Sequence, residues 1–276
     1  MGYRYSIIVV CLNAKEKLKN TLESIAGQEY RNFEVIVKDG GSTDGTTDCI
    51  GEFSDMDIKL IQSKDTGIYD AMNMAIEASS GDFVYFLNTG DYFASSMVLR
   101  LLDEKIQSIK VNEQIDNKRQ YPLIVYGNIF DRVTSKEIMS NPRIDGFACY
   151  RNVPCHQACV YSRELMTEHS FNTEYKVRAD YEHFLWCYYK AKAHTYYVDM
   201  LIADYEGGGY SAVNEAVSKE EHRKITSMYM TPQELFKYRM ILNITLVPLR
   251  TKMSQSKLTA GIYNKAKSSL YKLKKK

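Results

Sequence analysis

At 276 residues, with 45% hydrophobic and 25% charged content, the chain has material for one large α/β domain with a good core, or one domain plus an appendage. Its net charge of +2 conceals an asymmetry: residues 250–276 carry nine Lys/Arg and no acid, leaving 27 basic (36 less nine) against 34 acidic residues in the body. An acidic body argues against a nucleic-acid partner, and six cysteines without a CxxC pair argue against a disulfide framework or a paired zinc site.

Cys155, His156 and Cys159 could join a metal site, but no second ligand cluster follows them, so buried or free thiols in a reducing compartment are expected. The N-terminus passes almost at once into a strand, without the basic-then-apolar order of a secretory leader. Met240–Leu249 is interrupted by Asn243 and Pro248 and is too short to span a bilayer. The expected location is the cytoplasm, or the cytosolic face of a membrane.

In chain order, "YSIIVVCLN" is a continuous apolar run, the mark of a strand buried on both faces of a parallel sheet. A helical pattern follows with Leu18, Leu22 and Ile25 on one face and Gly27 near its end. "FEVIVK" is a second strand, Thr46–Phe53 a short helix, and "IKLIQ" a third strand. "GIYDAMNMAIEAS" is a helix with Ile68, Met72, Ala75 and Ile76 inward, and "FVYFLN" is a fourth strand stopped by "TGD". This alternation with short links predicts a parallel, doubly wound sheet with right-handed crossovers.

Beyond residue 95 the alternation weakens. A helix near 95–109, "LIVYGNIFD" as one or two strands, "CHQACVYS" as a strand and "RADYEHFLWCYYKA" as a helix are expected. "HTYYVDMLIADY" is extended, "EGGGYS" a turn, and 217–240 helical. The expected organisation is a domain over 1–215, with a nucleotide half (1–95) and an acceptor half (96–215), followed by a helical extension over 216–276.

Ligands of open α/β sheets bind outside the carboxyl ends of the strands. Three early strands end there in "LNAKE", "KDGGSTDGT" and "LNTGD". Asp and Asn also serve as turn and capping residues, but three such ends at one edge suggest a shared site. The glycine loop is neither a GxxxxGK[ST] loop nor a GxGxxG loop. An acidic loop repels phosphate, so Asp39 suits a nucleobase or ribose. In "LNTGD", Asp91 could supply one carboxylate to a hard cation such as Mg²⁺ or Mn²⁺, with Asn88 as a supporting or ribose contact.

The run "NAKEKLKNTLESIAGQEYRNFEVIVKDGGSTDGT", followed by "DTGIYDAMNMAIEASSGDFVYFLNTGD", resembles the nucleotide-sugar domain of family 2 glycosyltransferases. The resemblance is strongest to bacterial enzymes that build capsule, exopolysaccharide or lipopolysaccharide sugars. It covers residues 4–95 closely and 145–211 more loosely. It implies a GT-A fold (a Rossmann-like, mostly parallel α/β sheet flanked by helices), a nucleotide-sugar donor, a divalent metal (Mn²⁺ or Mg²⁺) and inversion at the anomeric carbon. A UDP-sugar is the leading donor, with the base left open.

Carried over by position, the resemblance puts Asn13, Asp39, Gly41, Ser42 and Asp44 around the donor. Asp70 and Asn73 lie on the helix beside it, and Asn88 with Asp91 occupies the metal motif. Relatives often read Asp-x-Asp-Asp in that motif, where this chain has Asn88, Gly90 and only Asp91; likewise Gly40 replaces the second acid of the base-contacting loop. Asp180 stands where the family carries the acid of a Glu-Asp pair that deprotonates the acceptor, with Ala179 replacing the Glu and Glu182 in reserve. The lesser alternative is that Asp180 is a helix N-terminal charge or cap. His156 and Gln157 are either contacts to the diphosphate or acceptor, or structural. Gly207–Ser211 could close over the donor. The tyrosines at 181, 188, 189, 196 and 197 fit core and interface positions better than a sugar platform.

Leu258, Ile262, Ala266, Leu270 and Leu273 fall near one helical face of the basic tail. It is either a solvated charge run or a basic amphipathic helix on an anionic membrane surface, which would suit a lipid-linked saccharide acceptor. Two rivals to a transferase are a non-catalytic nucleotide-sugar-binding scaffold in a polysaccharide assembly complex, and a nucleotidyltransferase, for which "VVCLNAKEK" is a poor triphosphate loop.

Overall fold

The unbroken apolar runs become the buried strands. In the computed structural model, which describes residues 2–115, 122–207 and 214–244, β1 (Tyr5–Cys11), β2 (Phe33–Asp39) and β4 (Phe83–Phe86) are buried at every position. Each fully buried aliphatic side chain there contributes roughly 1.5–3 kcal/mol. With β3 (Ile58–Gln62) on the edge, they pair in parallel in the order β3-β2-β1-β4. The crossover helix α1 (Lys15–Ala26) buries Leu18, Leu22 and Ile25, and α2 (Ile68–Glu77) buries Met72, Ala75 and Ile76. Ile68, expected inward, is instead exposed. It is the first residue of α2, beyond the end of the sheet.

One carboxylate ties this half together. Glu34 of β2 is buried and accepts from the Ser6 hydroxyl of β1 (2.6 Å), the Ser80 amide (2.6 Å) and the Lys59 ammonium of β3 (2.7 Å). Burial alone would raise its pKa, but these hydrogen bonds, Lys59 foremost, more than offset that and bring it to about 2.

The second half adds β5 (Tyr92–Phe93), α3 (Val98–Ile115), β6 (Leu123–Asp131), β7 (Lys136–Ile138), α4 (Gly146–Arg151), β8 (Cys159–Ser162), α5 (Arg163–Glu168), α6 (Ala179–Tyr189) and β9 (His194–Tyr205). The sheet continues from β4 through β8, β6 and β9 to β5, with β7 on β6. β8 runs antiparallel to both β4 and β6, β9 is parallel to β6, and β5 is antiparallel to β9. The parallel sheet thus becomes mixed where the sequence alternation fades.

Two expectations change in detail. "CHQACVYS" is a 3₁₀ turn, His156–Ala158, and only then the strand β8. Residues 217–240 are two helices, α7 (Glu215–Tyr229) and α8 (Pro232–Ile244). The break is a capping box: the Thr231 hydroxyl accepts from Glu234 N (3.3 Å) while the Glu234 carboxylate accepts from Thr231 N (2.8 Å), and Pro232 opens the new helix.

The chain divides into two units, Met1–Ile225 and Thr226–Lys276. The six cysteines are unbridged and all but the half-buried Cys155 are buried, as expected of reduced thiols. Among the described residues no helix is long and apolar enough to cross a membrane. The basic tail and Gly208–Ser211 lie outside the described residues.

Candidate active site

Because β1, β2 and β4 run in parallel, their carboxyl ends reach one edge, with Cys11 opposite Asp39 and Leu87 N donating to Ile8 O. The loops that follow enclose a cleft of about 610 Å³, lined by residues 10–17, Asp44, Ile68, Asn88 and Thr89. Asn13, Asp44 and Asn88 therefore line one cleft.

At the nucleoside end, the polar residues first build the loop itself. Asp39 is 1% exposed, and its carboxylate accepts from the Ser42 amide (3.0 Å) and hydroxyl. The Ser42 hydroxyl in turn accepts from Asn13 N (2.8 Å), and the Asn13 side-chain oxygen accepts from Thr43 N (3.0 Å). Asn13 holds a left-handed backbone, φ 47°. Asp44 accepts from the Thr46 amide (3.0 Å) and hydroxyl, and the hydroxyl bond, ahead of the others, keeps its pKa low. Asp39, expected to suit a nucleobase or ribose, is buried behind Ser42, since a strand-end Asp satisfies the turn amides.

Gly40 has a specific neighbour. A Cβ there would lie 2.9 Å from Asp65 Oδ2. That carboxylate is anchored by Lys38, a fully buried lysine whose Nζ donates to Asp65 Oδ2 (2.8 Å), Ser63 O (2.7 Å) and Asp39 O (3.1 Å). All three ammonium protons are matched, as a buried cation requires.

Two expected donor contacts have other duties. The Asp70 carboxylate accepts from the Thr66 amide (2.8 Å) and hydroxyl (2.9 Å), fixing the entry to α2. Asn73 is engaged at both ends of its amide, donating to Phe171 O (2.8 Å) and accepting from Phe171 N (2.9 Å). These two bonds make Asn73 a strap between α2 and the second half of the domain.

At the other end of the cleft, the Asn88 side-chain oxygen is buried with no partner. Asp91 lies behind it, 3% exposed, with Oδ1 accepting from Glu206 N (2.8 Å). Burial pushes the Asp91 carboxyl up to about 6, against the downward pull of the Glu206 amide, Arg132 and Gln157. Arg132 donates to Gly90 O and pairs with Asp204 (2.9 Å). Gly90 has φ 100°, and a Cβ there would lie 2.6 Å from Glu206 Oε2.

Among the described residues no three acids, histidines or cysteines converge as a ready-made cage. The orphaned Asn88 oxygen and the carboxylate filling the place of a residue-90 side chain do fit a hard cation, one that keeps waters and takes its other ligands from a diphosphate.

Asp180 is the second residue of α6, and its Oδ1 (3.0 Å) and Val177 O (2.9 Å) share the single proton of the Tyr69 hydroxyl. Tyr69 adjoins the cleft-lining Ile68 on α2. The reserve acid Glu182 is buried and paired with His169 (3.1 Å), so it is not presented to the cleft. His156 is buried against Phe86 (4.5 Å), with neither ring nitrogen partnered. Burial lowers its pKa against the opposing charge of Asp180. Gln157 is buried and its side-chain oxygen accepts from Cys155 Sγ (3.1 Å). The tyrosines take structural places, as with Tyr181, buried and donating to Cys149 O (2.7 Å).

Sequence reasoning missed three groups of residues. Lys15 and Lys17 line the cleft at the start of α1, where the Ala14 amide donates to the Thr46 hydroxyl (2.8 Å); their signal was the "AKEK" that follows the first strand. Glu221 of α7 accepts from three consecutive amides, Lys176 N (2.7 Å), Val177 N (3.1 Å) and Arg178 N (2.9 Å), and so fixes the turn that leads to Asp180. Glu206, the first residue of "EGGGYS", carries no local signal beyond that of a turn.

Residues 6–110 match the model of the family described as "Glycosyl transferase family 2". A PGL/p-HBAD biosynthesis glycosyltransferase of Mycobacterium bovis is 33% identical over 221 residues, covering 78% of this chain and 81% of the relative. The chain belongs to glycosyltransferase family 2.

The Escherichia coli glucosyltransferase WfaP, named as a UDP-Glc:alpha-D-GlcNAc-diphosphoundecaprenol beta-1,3-glucosyltransferase, is 34% identical over a shorter 94 residues, 34% of this chain and 38% of the relative. Two solved structures share the GT-A fold. They are the Pyrobaculum calidifontis mannosyltransferase PcManGT with GDP-Man and Mn²⁺ (TM-score 0.61, 15% identity, 96% of this chain and 84% of that one) and Staphylococcus aureus TarS 1–349 with UDP-GlcNAc (TM-score 0.59, 17% identity, 94% and 69%). The family membership makes the protein a transferase that moves sugar from a nucleotide-sugar donor, and the non-catalytic scaffold is not favoured.

Proposed function

We propose that this glycosyltransferase works by direct, inverting displacement, with the nucleotide in the 610 Å³ cleft and Asp180 as the base. The observation that carries the reading is the convergence of three polar strand ends on one cleft, with Asp180 tied to its α2 wall through Tyr69. The acceptor hydroxyl attacks the anomeric carbon on the face opposite the diphosphate. The new C–O bond forms as the bond to the diphosphate breaks, and the hydroxyl proton passes to the Asp180 carboxylate. Tyr69 and the Glu221-braced turn hold that carboxylate in place, so little reorganisation accompanies the transfer.

The nucleoside lies along the Asn13–Asp44 side. Lys15 and Lys17, in the first turn of α1, offer a cationic seat for the diphosphate. Asn88, with Asp91 behind it, would hold a divalent cation such as Mn²⁺ or Mg²⁺. When bound, that cation would neutralise the charge developing on the departing diphosphate. In this reading His156, beside Asp180, and Gln157, beside Asp91, steady the reacting groups.

The substrates follow by analogy with the relatives: a UDP-sugar as first candidate donor, and a lipid-linked saccharide as acceptor in cell-surface polysaccharide or glycolipid assembly. The nine basic residues of 250–276 supply the charge for peripheral attachment to an anionic cytosolic leaflet.

Asp180→Asn tests the catalytic assignment in the full chain, using nucleotide sugars with Mn²⁺ or Mg²⁺ and a membrane lipid extract. Donor binding is expected to persist while transfer falls at least ~100-fold. Near-full transfer by the folded variant overturns the assignment.

A further inference from the structure

Asp91, the one acid left in the metal motif, is ill placed to hold a cation alone: it is 3% exposed and one of its oxygens already accepts from Glu206 N. The neighbouring position, Gly90, offers no side chain, yet its side-chain space is not empty. A Cβ on Gly90 would meet Glu206 Oε2 at 2.6 Å and Glu206 Cδ at 3.2 Å. Glu206 reaches this spot by construction. β9 pairs with β5 so that Asp204 stands opposite Tyr92, and the Glu206 amide then closes onto Asp91. A carboxylate from the far half of the domain therefore occupies the volume that residue 90 vacates, next to the unpartnered Asn88 oxygen's own loop.

Its partner is equally specific. Glu206 Oε1 lies 2.7 Å from Lys17 Nζ, with both side chains about half exposed (54% for Lys17 and 42% for Glu206). Lys17 lines the cleft near the start of α1. Exposed pairs of this kind are weak and exchange readily. An incoming cation–diphosphate offers each member a better partner, the cation for Glu206 and a phosphate oxygen for Lys17, with no change in total charge.

We propose that Glu206 is the second acidic donor to the divalent cation, standing in for the side chain that Gly90 lacks, and that Lys17 holds it until the cation–diphosphate arrives. The assignment rests on the cation reading of the site given above. It implies that the metal joins the two halves of the domain, which a motif confined to the 88–91 loop would not do.

Mn²⁺ binding, read from the free-ion EPR signal with UDP as the probe nucleotide, tests this without relying on turnover. In Glu206→Gln, Mn²⁺ binding is expected to weaken at least ~10-fold, because a neutral amide is a poorer donor to a hard cation. UDP binding without metal is expected to stay within twofold of wild type, and Glu206→Asp to recover part of the Mn²⁺ affinity. Lys17→Met is the control for the ion pair: read at saturating UDP it is expected to keep Mn²⁺ binding, while its UDP binding without metal weakens.

Mn²⁺ affinity unchanged in Glu206→Gln, where the wild type binds, overturns the assignment alone. Lys17→Met losing Mn²⁺ as fully as Glu206→Gln overturns it too, because the effect then belongs to the pair. A wild type that binds no Mn²⁺ with UDP overturns the cation reading beneath it. Thermal unfolding midpoints without ligand establish that each variant is folded.

Discussion

The two ends of the cleft solve the same problem in opposite ways. At each end the sequence has a glycine where the resemblance to the family leads one to expect an acid, and at each end a carboxylate from elsewhere fills the space: Asp65 at Gly40 and Glu206 at Gly90. Asp65 is gripped by a lysine that is fully buried and donates to three oxygens. Glu206 is held by a lysine that is half exposed. The first arrangement is part of the frame, while the second can be exchanged by a ligand. Identical sequence changes thus carry different meanings, decided by the burial of the partner cation.

The difference can be broken at its rigid end first. Lys38→Ala leaves Asp65 without its cation in a nearly dry site and is expected to destabilise the protein by about 3–5 kcal/mol in urea unfolding. A loss under about 1 kcal/mol would mean that the nucleoside end is no more rigid than the other.

Acid sharpens the same contrast, since Glu34 lies on β2 four residues before Lys38. Its folded pKa of about 2 is below its ordinary value of 4.5, so its contribution is complete above pH 4.5 and is lost as pH falls toward 2. Unfolding free energy should drop by up to about 3 kcal/mol over that window. Glu34→Gln should flatten that part of the profile, and an unchanged slope would count against the network.

The smallest effect belongs to the exchangeable end. Lys17→Ala is expected to change stability by less than about 1 kcal/mol, because the pair it breaks is exposed. A loss as large as that of Lys38→Ala would erase the distinction.

The sequence declared the frame of the first half well. β1, β2 and β4 were legible because strands buried on both faces must be apolar without interruption, and the polar loops after them because parallel strands end at one edge. The two glycines were legible as departures from the family pattern. What filled their places was not, since Asp65 and Glu206 arrive through strand pairings with no local signature. β5 is only two residues long, and its pairing with β9 is what delivers Glu206. Asn73 gains a distant backbone partner in Phe171 that no local pattern signals, while Asp70 caps the entry to its own helix through Thr66, a contact its spacing could have shown. The break between α7 and α8 was readable, for "TPQE" is a capping box with proline at the first helical position.

The most direct test of the central claim, that the cleft after β1, β2 and β4 is the donor-nucleotide site, is a thermal-unfolding titration with nucleoside diphosphates. UDP, GDP, ADP and CDP, each with Mn²⁺, would be compared on the wild type and on Ile68→Glu. Ile68 is exposed, lines the cleft and opens α2, where an acid suits the helix dipole, so the substitution places negative charge in the cleft without harming the fold. The expected result is that at least one diphosphate at 100 times its Kd stabilises the wild type by about 2.7 kcal/mol, and that Ile68→Glu loses most of that gain. Protection by none of them, or undiminished protection of Ile68→Glu, would contradict the assignment.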